Sequence, residues 1–180
     1  TQEIVDILLS DASAGFDWSV ISPTIFGAVF ESTLNPATRR AGGMHYTSIE
    51  NIHKVIDPLF LDALCDELAA AKAQKTTAMR RKALLAFQEK LAVGRYFDPA
   101  AGSGNFLTET YISLRRLENE VLCELYGNEI VLGGLENPIR VTIAQFYGIE
   151  VNDFAVTVAR TALWIAESQM MKETENIVHM

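Results

Sequence analysis

The stretch that most constrains the fold is a glycine turn at residues 97–107 (FDPAAGSGNFL). Residues 95–98 predict a short strand, and Pro99 ends it because proline cannot donate a hydrogen bond to a sheet. Apolar residues then recur at helical spacing over residues 105–125, which predicts an amphipathic helix. A strand, a tight turn and a helix in this order open a parallel α/β sheet. In such a sheet a ligand lies beyond the carboxyl end of the first strand.

A second strand and a second helix follow. Residues 141–151 predict a strand region, and Asn152 or Asp153 caps a long helix after it. This helix is apolar on nearly every side, so we expect cover on most of its faces and Trp164 in the core. Residues 127–138 predict a loop or an insertion between the two units. The whole pattern predicts a parallel α/β fold with a right-handed crossover.

The first ninety or so residues predict helices. Thr47, with Glu50 three residues later, forms a capping box that is expected to open one helix. Pro58 should kink or divide that helix, since it cannot donate the hydrogen bond to the preceding turn. A more polar helix is expected at about residues 76–91.

Composition narrows the class of protein. With 180 residues, 49% hydrophobic and 21% charged, the chain can bury one sizeable core and is not a disordered tail. The net charge of −8 excludes the cationic surface that supplies most non-specific DNA affinity. Cys65 and Cys123 lack disulfide or zinc-ligand spacing and are expected to be small buried residues, as in a reducing cytoplasm. We find no apolar run of membrane-spanning length and no leader pattern, so no membrane partner is expected.

The two ends are interpreted as cuts in a larger polypeptide, because the chain starts at Thr1 and stops at Met180 straight after a helical pattern. We expect two parts. Residues 1–92 form a helical N-terminal region, and residues 93–180 form the first half of a truncated α/β domain.

The glycine turn matches neither of two common nucleotide-binding motifs. A P-loop requires a Gly-Lys pair, and the sequence has none. The dinucleotide fingerprint requires a small residue where Leu107 stands. A cofactor without phosphates therefore fits this turn better.

The turn DPAAGSGNFL resembles motif I of the N6-adenine DNA methyltransferases, in which this loop holds S-adenosylmethionine. Residues 146–153 (FYGIEVND) resemble motif II, whose acidic residue binds the ribose hydroxyls of the cofactor. Residues 43–48 (GMHYTS) resemble motif X, which lies near the methionine end. The motif order X, I, II is that of the γ class of these methyltransferases. The amino-acid sequence most resembles that of the type IIG restriction-modification enzymes. The resemblance covers about residues 24–171.

The resemblance implies a Rossmann-like class I S-adenosylmethionine-dependent methyltransferase fold, partial, preceded by the helical region. It implies no metal ligand, and it implies double-stranded DNA as a partner that is bound through parts of the parent enzyme outside this chain. A fused nuclease and target-recognition domains belong to the same expectation. The cofactor-binding residues that it implies are His45, Tyr46, Thr47, Asp98, Pro99, Ala100, Gly102, Ser103, Gly104, Asn105, Phe106, Glu150 and Val151.

Each of these roles has a structural alternative. Asp98 can cap an ordinary strand-to-helix turn, although capping alone does not require two glycines after it. Glu150 and Thr47 can cap the helices that follow them. His45 and Tyr46 can simply pack the loop.

The spacing departs from the simplest dinucleotide-type unit. There the acidic residue follows the glycine turn by about 20 residues, and Glu150 follows it by more than twice that number. An insertion around residues 126–140 explains the difference.

The catalytic motif of the family is missing. Its members hold a flipped adenine with Asn-Pro-Pro-Phe/Tyr or Asp-Pro-Pro-Tyr, and here no two of the five prolines are adjacent. No catalytic residue is therefore predicted, and we expect this chain alone to bind cofactor weakly at best and to transfer no methyl group.

Two alternatives stay open. Methyltransferases that act on RNA or on protein glutamine also place Asp-x-x-x-Gly-x-Gly before an acidic strand end, although motif X upstream argues against them. The chain could instead be a non-catalytic cofactor-binding or assembly module in which the catalytic motif has been lost.

Overall fold

The computed structural model describes residues 2–7, 9–10, 21–25, 29, 47–126 and 138–178. A strand, a helix, a strand and a helix follow a helical region, which confirms the predicted order. The elements are α1 (Gln2–Ile7), α2 (Ile49–Ile56), a π-helical segment (Asp57–Leu61), α3 (Asp62–Lys72), α4 (Thr77–Val93), β1 (Tyr96–Asp98), α5 (Asn105–Tyr126), a 3-10 turn (Ile143–Gln145), β2 (Phe146–Gly148) and α6 (Asp153–Val178).

The two strands pair in parallel, with Tyr96 opposite Phe146 and Phe97 opposite Tyr147. Because side chains alternate across a strand, the two pairs lie on opposite faces of the sheet. Tyr96 and Phe146 stack with their ring centres 5.2 Å apart, and Tyr111 of α5 meets Phe146 edge-on at 5.5 Å. Phe97 is 60% exposed and Tyr147 is 50% exposed. The described helices therefore cover one face of this sheet and leave the other open.

The second strand is shorter than predicted because the residues before it form the 3-10 turn. The side chain of Gln145 holds this turn by accepting a hydrogen bond from the Thr142 N–H at 2.8 Å. It also donates to the carbonyls of Leu91 and Gly94 at 2.8 and 3.1 Å. A buried amide thus fixes the entry to β2 against the end of α4.

Helix α2 begins one residue later than the capping box implied. Ser48, not Thr47, is the N-cap, and its hydroxyl accepts a hydrogen bond from the Asn51 N–H at 3.4 Å. The prediction was wrong because two adjacent hydroxyl residues can each serve, and here Ser48 has the extended backbone that a cap requires. The effect of Pro58 is confirmed, since α2 passes into the π-helical segment with Pro58 in its first turn.

Two further helix starts lie where the sequence predicted them, and each has a side-chain cap. The Thr76 hydroxyl accepts from the Met79 N–H and opens α4. The Asn152 side chain accepts from the N–H groups of Phe154 and Ala155 and opens α6.

Helix α5 lies at the centre of the fold, packed against α6 on one side and against α4 and the sheet on others. One hydrophobic cluster contains residues from both predicted parts of the chain, among them Ile52, Leu84, Leu114, Phe146 and Met170. The division at residues 92 and 93 stays a prediction.

A buried polar network ties α5 to its neighbours. Arg115 and Glu118 are fully buried and form an ion pair on α5. Glu118 also accepts from the Gln88 side chain at 2.9 Å and from the Arg140 N–H at 2.6 Å. Arg115 donates to the Thr174 hydroxyl of α6 at 2.6 Å. The network therefore connects α4, α5, α6 and the segment before the 3-10 turn.

The expected burial of Trp164 was wrong. Its side chain is 54% exposed, and the Arg160 guanidinium lies 5.5 Å from its ring centre. Helix α6 buries a stripe of apolar residues that includes Ala155, Val158, Ala162, Ala166 and Met170. The apolar side chains outside this stripe are only partly covered by the described elements.

The cysteines were also predicted wrongly, since Cys65 and Cys123 are both exposed. Each lies beside the buried stripe of its helix, which is formed by Leu64 and Leu68 in α3 and by Val121 and Leu122 in α5. Within the described ranges, no helix is long and apolar enough to cross a membrane.

Candidate functional site

The turn between β1 and α5 depends on two glycines with left-handed backbone. Gly102 has φ +54° and Gly104 has φ +79°, conformations that side chains disfavour. The Gly104 N–H donates to the Ala101 carbonyl at 2.8 Å, and the Gly104 carbonyl accepts from the Thr108 N–H at 2.8 Å. The turn thus passes directly into the first turn of α5.

The surroundings of the two glycines differ. A Cβ atom on Gly104 would lie 2.7 Å from the Cβ atom of Ala159 in α6, so glycine is required there for close packing. A Cβ atom on Gly102 would meet nothing within 4 Å. The backbone at Gly102 is therefore the part of the turn that a ligand can approach.

Glu150, after β2, contacts this turn directly. Its Oε2 accepts a hydrogen bond from the Gly102 N–H at 2.9 Å, and its Oε1 accepts from the Asn152 N–H at 2.8 Å. The ladder of the sheet continues into the turn, since the Ala101 N–H donates to the Ile149 carbonyl at 2.9 Å. A carboxylate has about four acceptor positions, so Glu150 retains capacity for further donors.

Asp98 ends the neighbouring strand. Its Oδ1 accepts from the Ala100 N–H at 2.9 Å, which shapes the start of the turn. Asp98 lies opposite Gly148 in the sheet, and its carbonyl accepts from the Ile149 N–H at 2.9 Å. The two acidic residues thus follow the carboxyl ends of adjacent parallel strands, the edge where α/β proteins bind ligands.

Gly148, which was not among the predicted site residues, also helps to form this edge. A Cβ atom on Gly148 would lie 2.9 Å from the Cβ atom of Ala101 and 3.1 Å from Leu107. Only a residue without a side chain lets β2 lie this close to the turn. The sequence feature that could have identified it is a glycine near the end of the predicted strand.

A cavity of about 530 Å³ opens beside β1, between the π-helical segment and the start of α5. Asp98, Pro99 and Phe106 line it together with mostly apolar side chains such as Leu59 and Phe60. Of the predicted cofactor residues these three reach the cavity. Thr47, the glycines of the turn and Glu150 are not part of its lining.

The remaining predicted residues have different environments. Ser103 and Asn105 are buried, and the Oδ1 atom of Asn105 has no hydrogen-bond partner among the described residues. Val151 is 95% exposed, and Thr47 is half-buried beside the cap of α2. His45 and Tyr46 lie outside the described residues.

One edge of the sheet thus holds Asp98, Ala100, Gly102 and Glu150, and the hydrogen bonds described above connect them. In the part of the chain that is described, no group of three or more His, Cys, Asp or Glu side chains could hold a metal ion. The edge holds two carboxylates, which suit hydroxyl donors and a cationic ligand, and backbone N–H groups that donate to these carboxylates.

Comparison with known proteins gives a family match. A family model described as the MmeI DNA-methyltransferase domain matches residues 70–180. The matched range includes β1, the glycine turn, β2 and Glu150.

Two curated relatives are similar over most of the chain. DNA methyltransferase A of Bacillus subtilis (strain 168) is 42% identical over 172 residues, which cover 96% of this chain and 18% of the relative. A putative type II restriction enzyme and methyltransferase of Methanocaldococcus jannaschii is 23% identical over 175 residues, which cover 86% of this chain and 15% of the relative.

One solved structure is also similar, that of the type IIL restriction-modification enzyme MmeI in complex with DNA. It has 42% identity and a TM-score of 0.81 over 92% of this chain and 21% of MmeI. The chain thus spans about a fifth or less of the length of the proteins it resembles. The likeness in structure agrees with a partial Rossmann-like fold that follows a helical region.

Proposed function

Because the chain belongs to the MmeI DNA-methyltransferase domain family, we propose that it is the S-adenosylmethionine-binding part of a site-specific adenine-N6 DNA methyltransferase of a restriction-modification system. The observation that supports this most is the hydrogen bond between the Gly102 N–H and Glu150. It joins the turn that resembles motif I to the strand end that resembles motif II.

The residues at this edge suit the cofactor. S-adenosylmethionine has a positively charged sulfonium, ribose hydroxyls and no phosphate, and when bound it supplies the methyl group. Asp98 and Glu150 place two carboxylates at the strand ends, and Glu150 retains acceptor positions that would receive the ribose hydroxyls. The open backbone at Gly102 leaves room for close approach.

A buried acceptor adds to the fit. The Oδ1 atom of Asn105, at the first residue of α5, has no hydrogen-bond partner among the described atoms. Buried polar atoms without a partner are uncommon in folded proteins. A hydrogen-bond donor of the cofactor would satisfy it.

DNA is the substrate that the relatives favour. One relative is named DNA methyltransferase A, and the similar structure is that of MmeI in complex with DNA, whereas neither description mentions RNA or protein glutamine. The net charge of −8 supplies little affinity for phosphate, so other parts of the polypeptide would hold the duplex. We propose that these parts include target-recognition and nuclease domains, and that the enzyme acts in the cytoplasm.

The cofactor site is tested by replacing Asp98 with alanine. Titration calorimetry with S-adenosylmethionine, on the full natural polypeptide that contains this sequence, should show affinity at least about tenfold weaker, or 1.4 kcal/mol. The cause is the loss of the carboxylate and of the turn that it shapes at Ala100.

Asp66→Ala is the matched control, since Asp66 is an exposed carboxylate on α3, outside this edge. It should leave the affinity unchanged. Equal affinities in Asp98→Ala and wild type would remove Asp98 from the site.

A further inference from the structure

A histidine and two carboxylates form a cluster that the sequence analysis did not identify. The Nδ1 atom of His53 lies 2.7 Å from Oδ1 of Asp57, and its Nε2 atom lies 3.2 Å from Oε1 of Glu109. His53 and Asp57 are half-buried, and Glu109 is only 4% exposed. Both ring nitrogens therefore face a carboxylate.

This geometry favours the charged form of the ring. A neutral imidazole has one N–H donor and one acceptor, so it can donate to only one of two carboxylates. The imidazolium donates to both. In agreement, the hydrogen bond with Asp57 raises the pKa of His53 above its usual value, burial acts in the opposite direction, and the hydrogen bond with Glu109 raises it further.

The ionisable groups that face the His53 ring come from the elements packed against it. Asp57 belongs to the π-helical segment and Glu109 to α5. On α2 itself, Glu50 pairs with Lys54 at 2.8 Å, and both side chains are exposed. The charge of His53 is thus balanced by Asp57 and Glu109.

The contact with Glu109 joins the last turn of α2 to the start of α5, one turn after the glycine turn ends. Both helices line the cavity beside β1, α2 with Ile56 and α5 with Phe106. Asp98 at the cofactor edge lines the same cavity. A change in the contact between His53 and Glu109 therefore acts on the width of this cavity.

We propose that His53 is a positioning residue for the cofactor site, which in its protonated form holds α2 against the start of α5 through Glu109 and so fixes the cavity that Asp98 and Phe106 line. The proposal rests on the proposed function, because it assigns a determinant of affinity to that same site. It makes the affinity for S-adenosylmethionine dependent on pH.

The direction follows from the raised pKa. A group whose pKa is raised on folding contributes stability that is complete below its unfolded value, near 6.5, and is lost as the pH rises through the folded value. The bridge between α2 and α5 is therefore complete just below the pKa of His53 and weakens as the pH rises through it. Cofactor affinity should fall in the same range.

The test is calorimetric titration of S-adenosylmethionine into the full natural polypeptide from about pH 6 to pH 9. The wild type should lose affinity about fivefold or more across this range. His53→Gln should remove this part of the pH dependence, because glutamine does not titrate. Glu109→Gln should move the change to lower pH, because one of the two carboxylates that favour the imidazolium is gone.

Glu50→Gln is the matched control. It breaks the exposed ion pair with Lys54 on the same helix, without touching His53, and should keep the wild-type profile. Thermal unfolding of each variant without cofactor separates a loss of stability from a change in the affinity profile.

The outcomes are distinct. Identical pH profiles of affinity in the wild type and His53→Gln would overturn the positioning role and leave the cofactor site intact. If His53→Gln does not fold, an unshifted profile in Glu109→Gln would overturn it equally. Absence of binding by the wild type at every pH would overturn the proposed function and, with it, this inference.

Discussion

Gly102 and Gly104 both have left-handed backbone in the same turn, yet their roles differ. Gly104 touches α6 through the close approach to Ala159, so its lack of a side chain serves packing. Gly102 faces open space, and its N–H donates to Glu150. The two glycines thus have different environments, since Gly104 is packed against α6 and the backbone at Gly102 is open.

Alanine substitution separates these roles. Gly102→Ala should cost about 1–2 kcal/mol of unfolding free energy, since only the left-handed backbone penalises it. Gly104→Ala carries that penalty and should cost about 1–3 kcal/mol more, because its Cβ atom overlaps Ala159. Urea denaturation of the chain, followed by circular dichroism, measures both. Equal losses in the two variants would contradict the close contact with α6.

Among the described elements, α5 is the central helix against which the others pack. Its ion pair between Arg115 and Glu118 is fully buried, and Glu118 also accepts donors from α4 and from the segment before β2. Burial of a charge is costly unless it is paired and hydrogen-bonded, and here both groups have several partners. The network thus orients the helices on which the sheet edge rests.

Glu118→Ala should destabilise the chain by about 3–5 kcal/mol, because it leaves the Arg115 guanidinium buried without its partner. Glu120→Ala is the control on the same helix. Its carboxylate is exposed and pairs with Lys72, so the loss should be about 1 kcal/mol or less. Urea denaturation of both variants gives the comparison, and similar losses would show that the buried pair does not hold the helices together.

The chain is acidic, the described helices leave one face of its sheet open, and the relatives that it matches are much longer than this sequence. Under the proposed function, parts outside this chain would bring the cofactor edge and the target base together. The carboxylates at the sheet edge suit a sulfonium cofactor better than a phosphate backbone. Under the same proposal, substrate choice would depend on the complete polypeptide.

The complete polypeptide should transfer labelled methyl groups from S-adenosylmethionine to duplex DNA. Digestion to nucleosides should place the label in N6-methyladenine, and the Asp98→Ala variant should incorporate much less of it under subsaturating cofactor. Label in cytosine, in RNA or in protein would refute the adenine-DNA assignment while leaving the cofactor site standing.

The local features of the fold could be predicted from the sequence. The glycine turn, the helix start near Thr76, the cap at Asn152 and the break at Pro58 depend on near neighbours and on backbone preferences, so short patterns specify them. The choice between Thr47 and Ser48 as a cap was wrong because two adjacent hydroxyls satisfy the same pattern.

Only the tertiary structure decided which surfaces meet. Trp164 lies in an apolar helix but is exposed, because burial depends on which neighbour covers each face. Glu150 reaches Gly102, and His53 reaches Glu109, across large separations in the chain. No local pattern encodes such pairs, since they form only when the packing of the helices and the register of the strands bring distant residues together.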